Sequence, residues 1–272
     1  MVKRFEFQGT GGALFGKFFV GMILTMITFG IYFPWFLVSL NKYIYANTTL
    51  KAEKGDVRFE FTGSGGQLFG IWIVGVILTM ITLGIYYPWL IVNVTKYYME
   101  NSHGKAADGK AYKLQFTGSG GELFVTALVG YILTVLTIGI YGAWFMCKLN
   151  KFFAANTTIL EGSNPVGKAD FFGKGGELLG TWIVGIILTM ITLGIYAAWF
   201  QVKLFKFFNS NTEVTIDNEK YVGGFTGTGG EYFVINLVGY LLTMITVGIY
   251  GAWYFCSLLK FQVGNTTFEE RA

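Results

Sequence analysis

Hydrophobic and polar positions along this chain follow one pattern that recurs with a long period. A short alternating stretch such as VRFEF at 57–61 predicts a strand, and a glycine turn follows it. An apolar segment at 67–83 then ends at Gly84, and a second helical segment runs over about 87–98. Because glycine ends helices in the left-handed conformation without a steric penalty, the apolar run predicts two helices joined by a tight turn.

The same unit occurs five times in tandem. A Phe before the glycine cluster recurs every 54 or 55 residues, as Phe7, Phe61, Phe116, Phe171 and Phe225. A fixed period of this size indicates an array of one supersecondary unit. We therefore predict a single membrane domain over 1–272, built of repeats at about 7–60, 61–115, 116–170, 171–224 and 225–268.

The connectors between repeats predict β-hairpins. Residues 48–52 are placed to pair with residues 57–61, and the chain ends supply one more hairpin in halves, at 2–7 and 266–269. Pairing of these end strands would remove two exposed strand edges. The predicted fold class is a mainly α membrane protein of five repeats, each a short helical hairpin plus a β-hairpin connector, closed into a pseudo-fivefold ring.

Composition points to the membrane. Hydrophobic residues make up 53% of the chain and charged residues 13%, whereas a soluble domain carries about 25% charged residues. The net charge is only +4, and the basic residues do not cluster on one face, so we expect no nucleic-acid partner. Charged residues are absent from the phrases that join the two helices, which predicts a multi-pass protein with all connectors on one face.

Five lysines recur near the end of the second helical segment. By the positive-inside rule they place the charged connectors in the cytoplasm. They are interpreted as snorkelling interface anchors, with a cation ring at a pore mouth as the alternative. These interface lysines are Lys42, Lys96, Lys151, Lys206 and Lys260.

A small-residue stripe runs along the first helical segment of every repeat. Gly75, Thr79 and Thr82 share one helix face, and small residues on one face allow close helix packing in lipid. A ring of threonine hydroxyls lining a narrow pore is the alternative. The stripe threonines are Thr25, Thr28, Thr79, Thr82, Thr134, Thr137, Thr189, Thr192, Thr243 and Thr246.

Two further recurring features are candidate lipid contacts. Tryptophans beside the interhelical turn are expected at the membrane interface: Trp35, Trp89, Trp144, Trp199 and Trp253. Backbone amides of the glycine turns can hold an anion such as a lipid phosphate, but a tight strand-to-helix turn with a charge-complemented helix start is the favoured interpretation. The turn glycines are Gly11, Gly12, Gly65, Gly66, Gly120, Gly121, Gly175, Gly176, Gly229 and Gly230.

Three recurring phrases carry a family resemblance. The opening F-x-G-x-G-G-E-[LY]-[FL], the core L-T-x-[IL]-T-x-G-I-Y-x-[PA]-W and the ending K-[FY]-x-x-x-N-T resemble the YjgN-like family of bacterial inner-membrane proteins over nearly the whole chain. The resemblance implies a polytopic bacterial inner-membrane protein of uncharacterised function. It supplies no catalytic residues.

The chain offers little chemistry for catalysis. It has no nucleophile–base pairing, no metal-ligand cluster and no paired carboxylates in its apolar segments, so we expect no enzyme activity, metal or cofactor. The leading hypothesis is a structural protein that organises or shapes the membrane through self-assembly, with lipids as partners. The alternative is a passive channel for ions or small solutes along the pseudo-fivefold axis.

Overall fold

A computed structural model describes residues 2–52 and 55–271, and each repeat runs strand, helix, helix, strand. The elements are β1 Val2–Phe7, α1 Gly11–Ile27, α2 Phe33–Ala46 and β2 Thr48–Lys51; β3 Val57–Phe61, α3 Gly65–Ile81, α4 Tyr87–Glu100 and β4 Ser102–Ala106; β5 Ala111–Phe116, α5 Gly120–Leu136, α6 Gly142–Ala155 and β6 Thr157–Glu161; β7 Asn164–Phe171, α7 Gly175–Ile191, α8 Ala197–Ser210 and β8 Thr212–Ile216; β9 Glu219–Phe225, α9 Gly229–Ile245, α10 Gly251–Gly264 and β10 Thr266–Arg271.

The strands form one closed antiparallel barrel. Each strand pairs with its neighbours in the chain, and β1 also pairs with β10, with Val2 opposite Glu269. Within a repeat the two strands on either side of the helices pair with each other, as Phe7 does with Thr48. Because side chains alternate along a strand, one set points into the barrel and the other outward.

The predicted fold class is wrong. We predicted separate β-hairpin connectors on a mainly α membrane protein built of transmembrane helical hairpins. Instead, the connector strands join into one ten-stranded antiparallel barrel. A two-stranded hairpin leaves two edges of unpaired backbone N–H and C=O groups, and in the barrel the neighbouring hairpins satisfy them, since β2 also pairs with β1 and β3 also pairs with β4. Among the helices of residues 2–52 and 55–271, none is both long enough and apolar enough to cross a membrane.

The helices form a ring on one end of the barrel. Each helix packs against the helix before it and the helix after it, and α10 packs against α1. Within a repeat the first helix has a buried glycine, Gly75 in α3, where an added Cβ would overlap the side chain of Leu90 in α4. The small residue therefore lets the two helices approach closely.

Tryptophan–glycine contacts join consecutive repeats. An added Cβ on Gly65 would overlap the indole of Trp35 from the preceding repeat. The same contact recurs at every junction, and Trp253 covers Gly11 where the last repeat meets the first. The pairs are Trp35–Gly65, Trp89–Gly120, Trp144–Gly175, Trp199–Gly229 and Trp253–Gly11.

The core lies where the barrel meets the helices. Phe61 at the end of β3 is 3% exposed and packs with Leu68 of α3 and Tyr97 of α4. The Tyr97 hydroxyl donates a 2.8 Å hydrogen bond to the Ser64 carbonyl, which fixes the turn between strand and helix. Tyr43 donates the equivalent bond in the first repeat, so aromatic packing and turn geometry reinforce each other.

Candidate functional site

Five apolar side chains project from the end of the helical ring that lies away from the barrel. Each occupies the position before the interhelical glycine, the one that joins the two helices of a repeat (Gly84 in the second repeat), and is 91–97% exposed. We name this set the apolar crown: Phe29, Leu83, Ile138, Leu193 and Val247. An exposed apolar set in a ring is the kind of surface that marks contact with a membrane or another protein.

Local hydrogen bonds determine the backbone of the crown. At the end of α3, the Leu83 amide donates to the Met80 carbonyl, and the Gly84 amide donates to the Thr79 carbonyl at 2.7 Å. The Thr82 hydroxyl donates to the Leu78 carbonyl and accepts from the Tyr86 amide at 2.9 Å. This tight turn forces the crown residue into the left-handed region.

The crown backbone is strained. Its five residues have φ between 49° and 51°, and two of them, Ile138 and Val247, are β-branched. The left-handed conformation costs an L-residue other than glycine roughly 1–2 kcal/mol. Glycine or asparagine would relieve this cost, so local backbone energetics do not explain the large apolar side chains at these positions.

A wider apolar band continues from the crown onto the first helices. The two residues before the second stripe threonine of each repeat are 59–74% exposed, and the isoleucine after each interhelical glycine is 49–57% exposed. The pairs are Met26–Ile27, Met80–Ile81, Val135–Leu136, Met190–Ile191 and Met244–Ile245. Crown and band together give one end of the protein an apolar surface in all five repeats.

The stripe threonines are half-buried, and most of their hydroxyls are bonded to their own helix. Thr25 donates to the Gly21 carbonyl at 2.7 Å, and Thr79, Thr134 and Thr243 make the same bond. In all five repeats the second threonine of the stripe makes the turn bond described for Thr82. These bonds explain the threonines through turn geometry; a pore lining stays a prediction.

The two glycines of each turn have different surroundings. The first is covered by the tryptophan of the preceding repeat, whereas the second, such as Gly66, has open space around it. In α3 the Ser64 hydroxyl already accepts from the Gln67 amide at 3.3 Å. Similar side-chain caps occur at α1, α5 and α9, so one amide of each of these helix starts is occupied. Phosphate binding at the turns stays a prediction.

The candidate tryptophans are half-buried, and the candidate lysines are mostly exposed. Each tryptophan stacks on the tyrosine three residues before it, with ring centroids 6.1 Å apart for Tyr32 and Trp35. Lys96 is half-buried, and the other four interface lysines are exposed on the second helices. Their relation to a membrane interface stays a prediction.

Sequence reasoning missed two lysines in the middle of second helices. Lys148 of α6 donates a 2.8 Å hydrogen bond to the Tyr141 hydroxyl, and Lys203 of α8 bonds Tyr196 at 2.9 Å. Both lysines therefore reach back toward the crown end of their helix. The spacing of seven residues between Tyr and Lys in these two repeats was the available signal.

The barrel encloses a second candidate site that the sequence analysis did not identify. A cavity of about 790 Å³ runs from hairpin residues such as Asp108 and Asp217 to the helix-end residues Ile44 and Val263. Its wall is mainly apolar. Strand alternation was the signal for it, since Val57 and Phe59 lie on the same strand face as Phe61.

The end of the cavity formed by the hairpins carries charge, and we name it the barrel mouth. Lys110 lies 3.6 Å from Asp217 and 3.9 Å from Glu161. The Lys3 ammonium lies 3.6 Å from the ring centre of Tyr221. Burial, and then a hydrogen bond to Glu219, raises the pKa of the Tyr221 hydroxyl.

Within the residues that the structure describes, no group of three or more His, Cys, Asp and Glu side chains can hold a metal ion.

Comparison with known proteins identifies the family. Five successive stretches, 2–54, 56–105, 111–164, 167–224 and 220–272, match a family described as bacterial protein of unknown function (DUF898). The five matches confirm the tandem repeats.

Curated relatives match part of the chain. It is 32% identical over 88 residues to inner membrane protein YjgN of Salmonella typhimurium. The aligned stretch covers 32% of this chain and 21% of that protein. It is 40% identical over 65 residues to inner membrane protein YjgN of Escherichia coli K12, and this aligned stretch covers 24% of this chain and 15% of that protein. The chain thus spans about a fifth or less of these relatives. No solved structure matches it significantly. The chain belongs to the YjgN-like bacterial family of unknown function, DUF898.

Proposed function

We propose that this protein is a non-enzymatic component of the bacterial inner membrane that organises or shapes the bilayer. In this proposal the apolar crown and band enter the membrane, and the barrel stays in the aqueous phase on the cytoplasmic side. Self-assembly of several copies then spreads the effect over a membrane area. The relatives named inner membrane proteins support the location.

The single observation that carries the proposal is the strained, exposed crown. Ile138, for example, has a φ of 51° and is 95% exposed, so neither backbone preference nor burial within this chain explains an isoleucine at this position. Contact with lipid chains would remove its apolar surface from water, at roughly 25 cal/mol per Å². Strain that persists at five equivalent positions fits a role outside the chain.

The arrangement of charge supports a wedge. Most of the described charged residues are found in the barrel and near the helix ends beside it, and the large side chains exposed at the crown end are apolar. Lys17, Lys148 and Lys203 lie farther along their helices. Helix α3 has 17 residues and is about 25 Å long at 1.5 Å per residue, which is shorter than the roughly 30 Å thickness of the hydrocarbon core. A body anchored from one face in this way would displace lipid unequally between the two leaflets.

Reconstitution into vesicles of bacterial polar lipids tests the proposal. We expect the protein to float with the vesicles and to alter their shape in electron micrographs, with copies gathered at the altered regions. Replacing all five crown residues with Asn, which tolerates the left-handed conformation, should preserve the fold and abolish both effects.

A crown variant that binds and reshapes vesicles like the wild type would contradict the proposal. So would vesicles of unaltered shape carrying dispersed single copies of the wild-type protein. Solute leakage that depends on the stripe threonines would instead support the channel alternative. Most of the threonine hydroxyls are already bonded to the backbone of their own helix, which disfavours a pore lining.

A further inference from the structure

We propose that the barrel lumen binds an amphiphile with one alkyl chain and a cationic head group. The chain would lie along the apolar wall, and the head group would lie at the barrel mouth. This site goes beyond the proposed membrane role, because it involves the barrel and requires no contact made by the apolar crown.

The wall favours an apolar occupant over water. Phe5 lies between Phe59 and Phe268, with ring centroids 5.8 Å and 6.0 Å away, and these three rings line the cavity. Leu114 and Val214 continue the apolar wall on other strands. Such side chains offer no hydrogen bonds to buried water, whereas an alkyl chain loses none by entering.

The size and closure of the lumen favour a single chain. A volume of about 790 Å³ lies within the roughly 300–1,000 Å³ typical of small-molecule sites. The strand ladder is closed all the way round, so a ligand must enter along the barrel axis. Small closed barrels characteristically hold one ligand in this way.

The charge of the barrel mouth selects the head group. Among the residues that the structure describes, four carboxylates line the cavity at this end, namely Asp108, Asp217, Glu219 and Glu270, against the lysines Lys3, Lys110 and Lys113. Lys113 borders the cavity, but it alternates with Tyr112 and Leu114 along β5 and so belongs to the opposite face of the strand. Lys110 is further neutralised by Glu161. The remaining excess of negative charge attracts a cation and repels a carboxylate.

Native mass spectrometry of the protein released from nonionic detergent tests the assignment. The probes are dodecyltrimethylammonium, dodecanoate and dodecanol, each added below its micellar concentration. We expect one bound dodecyltrimethylammonium per chain, with at least tenfold weaker binding of dodecanoate. Shortening the chain to octyl should weaken binding by up to about fourfold per methylene removed.

Two matched pairs of variants locate the site. Leu114→Trp fills the lumen and should remove binding, whereas Gln115→Trp adds the same ring to the exposed outer face and should not. Glu270→Gln at the barrel mouth should reduce the preference for the cationic head, and Glu269→Gln on the outer face should leave it unchanged. The Glu270 pair keeps the test decisive if the lumen variant does not fold.

Retained binding in folded Leu114→Trp would overturn the lumen site. Equal binding of dodecanoate, or an unchanged preference in Glu270→Gln, would overturn the cationic head group. A crown variant that no longer binds vesicles but still takes up the cationic amphiphile would leave this site standing. The two proposals therefore fail separately.

Discussion

Replacing one turn glycine with alanine perturbs the contact that joins neighbouring repeats. In Gly65→Ala the new Cβ would overlap the indole of Trp35. That ring has little freedom to move, because it stacks on Tyr32 at 6.1 Å and packs against Phe69 at 5.2 Å between ring centroids. The variant must therefore separate the two repeats or strain the ring.

The magnitude follows from comparing two adjacent glycines in the same helix turn. Gly66 has open space, so Gly66→Ala should stabilise the fold by about 0.4–1 kcal/mol by restricting the unfolded chain. Gly65→Ala has the same gain, but overpacking opposes it by about 1–3 kcal/mol. The two variants should therefore differ by about 1–3 kcal/mol in unfolding free energy, with Gly65→Ala the less stable.

Thermal unfolding in one mild detergent measures this difference. For a chain of this size each kcal/mol shifts Tm by roughly 2–4 °C. Gly11→Ala should be as destabilising as Gly65→Ala, because Trp253 covers Gly11 only when the last repeat meets the first. Equal Tm values for Gly65→Ala and Gly66→Ala would refute the packing argument. A Gly11→Ala that matched Gly66→Ala would refute ring closure.

Three further results are expected. With the native cysteines removed, Val2→Cys and Glu269→Cys should form an intramolecular disulfide, visible on nonreducing gels, because these residues are cross-strand partners. Ile138→Asn should raise the unfolding free energy by about 1 kcal/mol in a denaturant titration, because it relieves left-handed strain, and should weaken vesicle binding. Tyr97→Phe should cost about 0.5–1.5 kcal/mol at pH 7 by losing the bond to Ser64. Burial raises the Tyr97 pKa from 10.0 to about 12, so wild-type stability should fall as pH rises through this interval, and Tyr97→Phe should lack that part of the loss.

Each of these results has a contradicting outcome. Disulfide-linked dimers in place of a cross-linked monomer would mean that the end strands pair between chains. An Ile138→Asn protein less stable than wild type would mean that the crown side chain stabilises the folded monomer. Identical alkaline stability curves for wild type and Tyr97→Phe would mean that the buried phenol does not set the alkaline limit.

The repeat organisation was predictable because nearly the same interhelical turn sequence occurs five times in the chain. Gly84 ends its helical segment in the left-handed region, with φ of 94°, as the sequence predicted. The predicted contact between the first and last strands is also present. These features depend on local residue types and on a fixed period, both of which are visible in a single sequence.

The barrel was not predictable from the same signals. Pairing of Arg58 with Lys105 joins strands separated by two helices, and no local pattern specifies such a register. The alternation along β3 marked an inward face, but the interior that this face lines exists only once all ten strands close. The lumen is therefore a property of the assembled repeats.

The apolar crown was not predicted, because the left-handed conformation at a helix end usually belongs to glycine. Sequence reasoning assigned the left-handed position to glycine alone, whereas Leu83 precedes Gly84 and shares the left-handed region with φ of 51°. Trp35 was likewise interpreted as an interface residue, and its contact with Gly65 of the next repeat depends on the ring. Both features require knowledge of how neighbouring turns pack.

Depth measurement of a spin label in reconstituted vesicles tests the membrane proposal most directly. The label is attached either to Leu83→Cys in the crown or to Gln115→Cys on the outer face of the barrel, both exposed positions. We predict that the crown label is relaxed more by oxygen dissolved in lipid than by a water-soluble nickel chelate, and that the barrel label shows the opposite preference. A crown label that responds mainly to the nickel chelate would contradict insertion of the apolar crown into the bilayer.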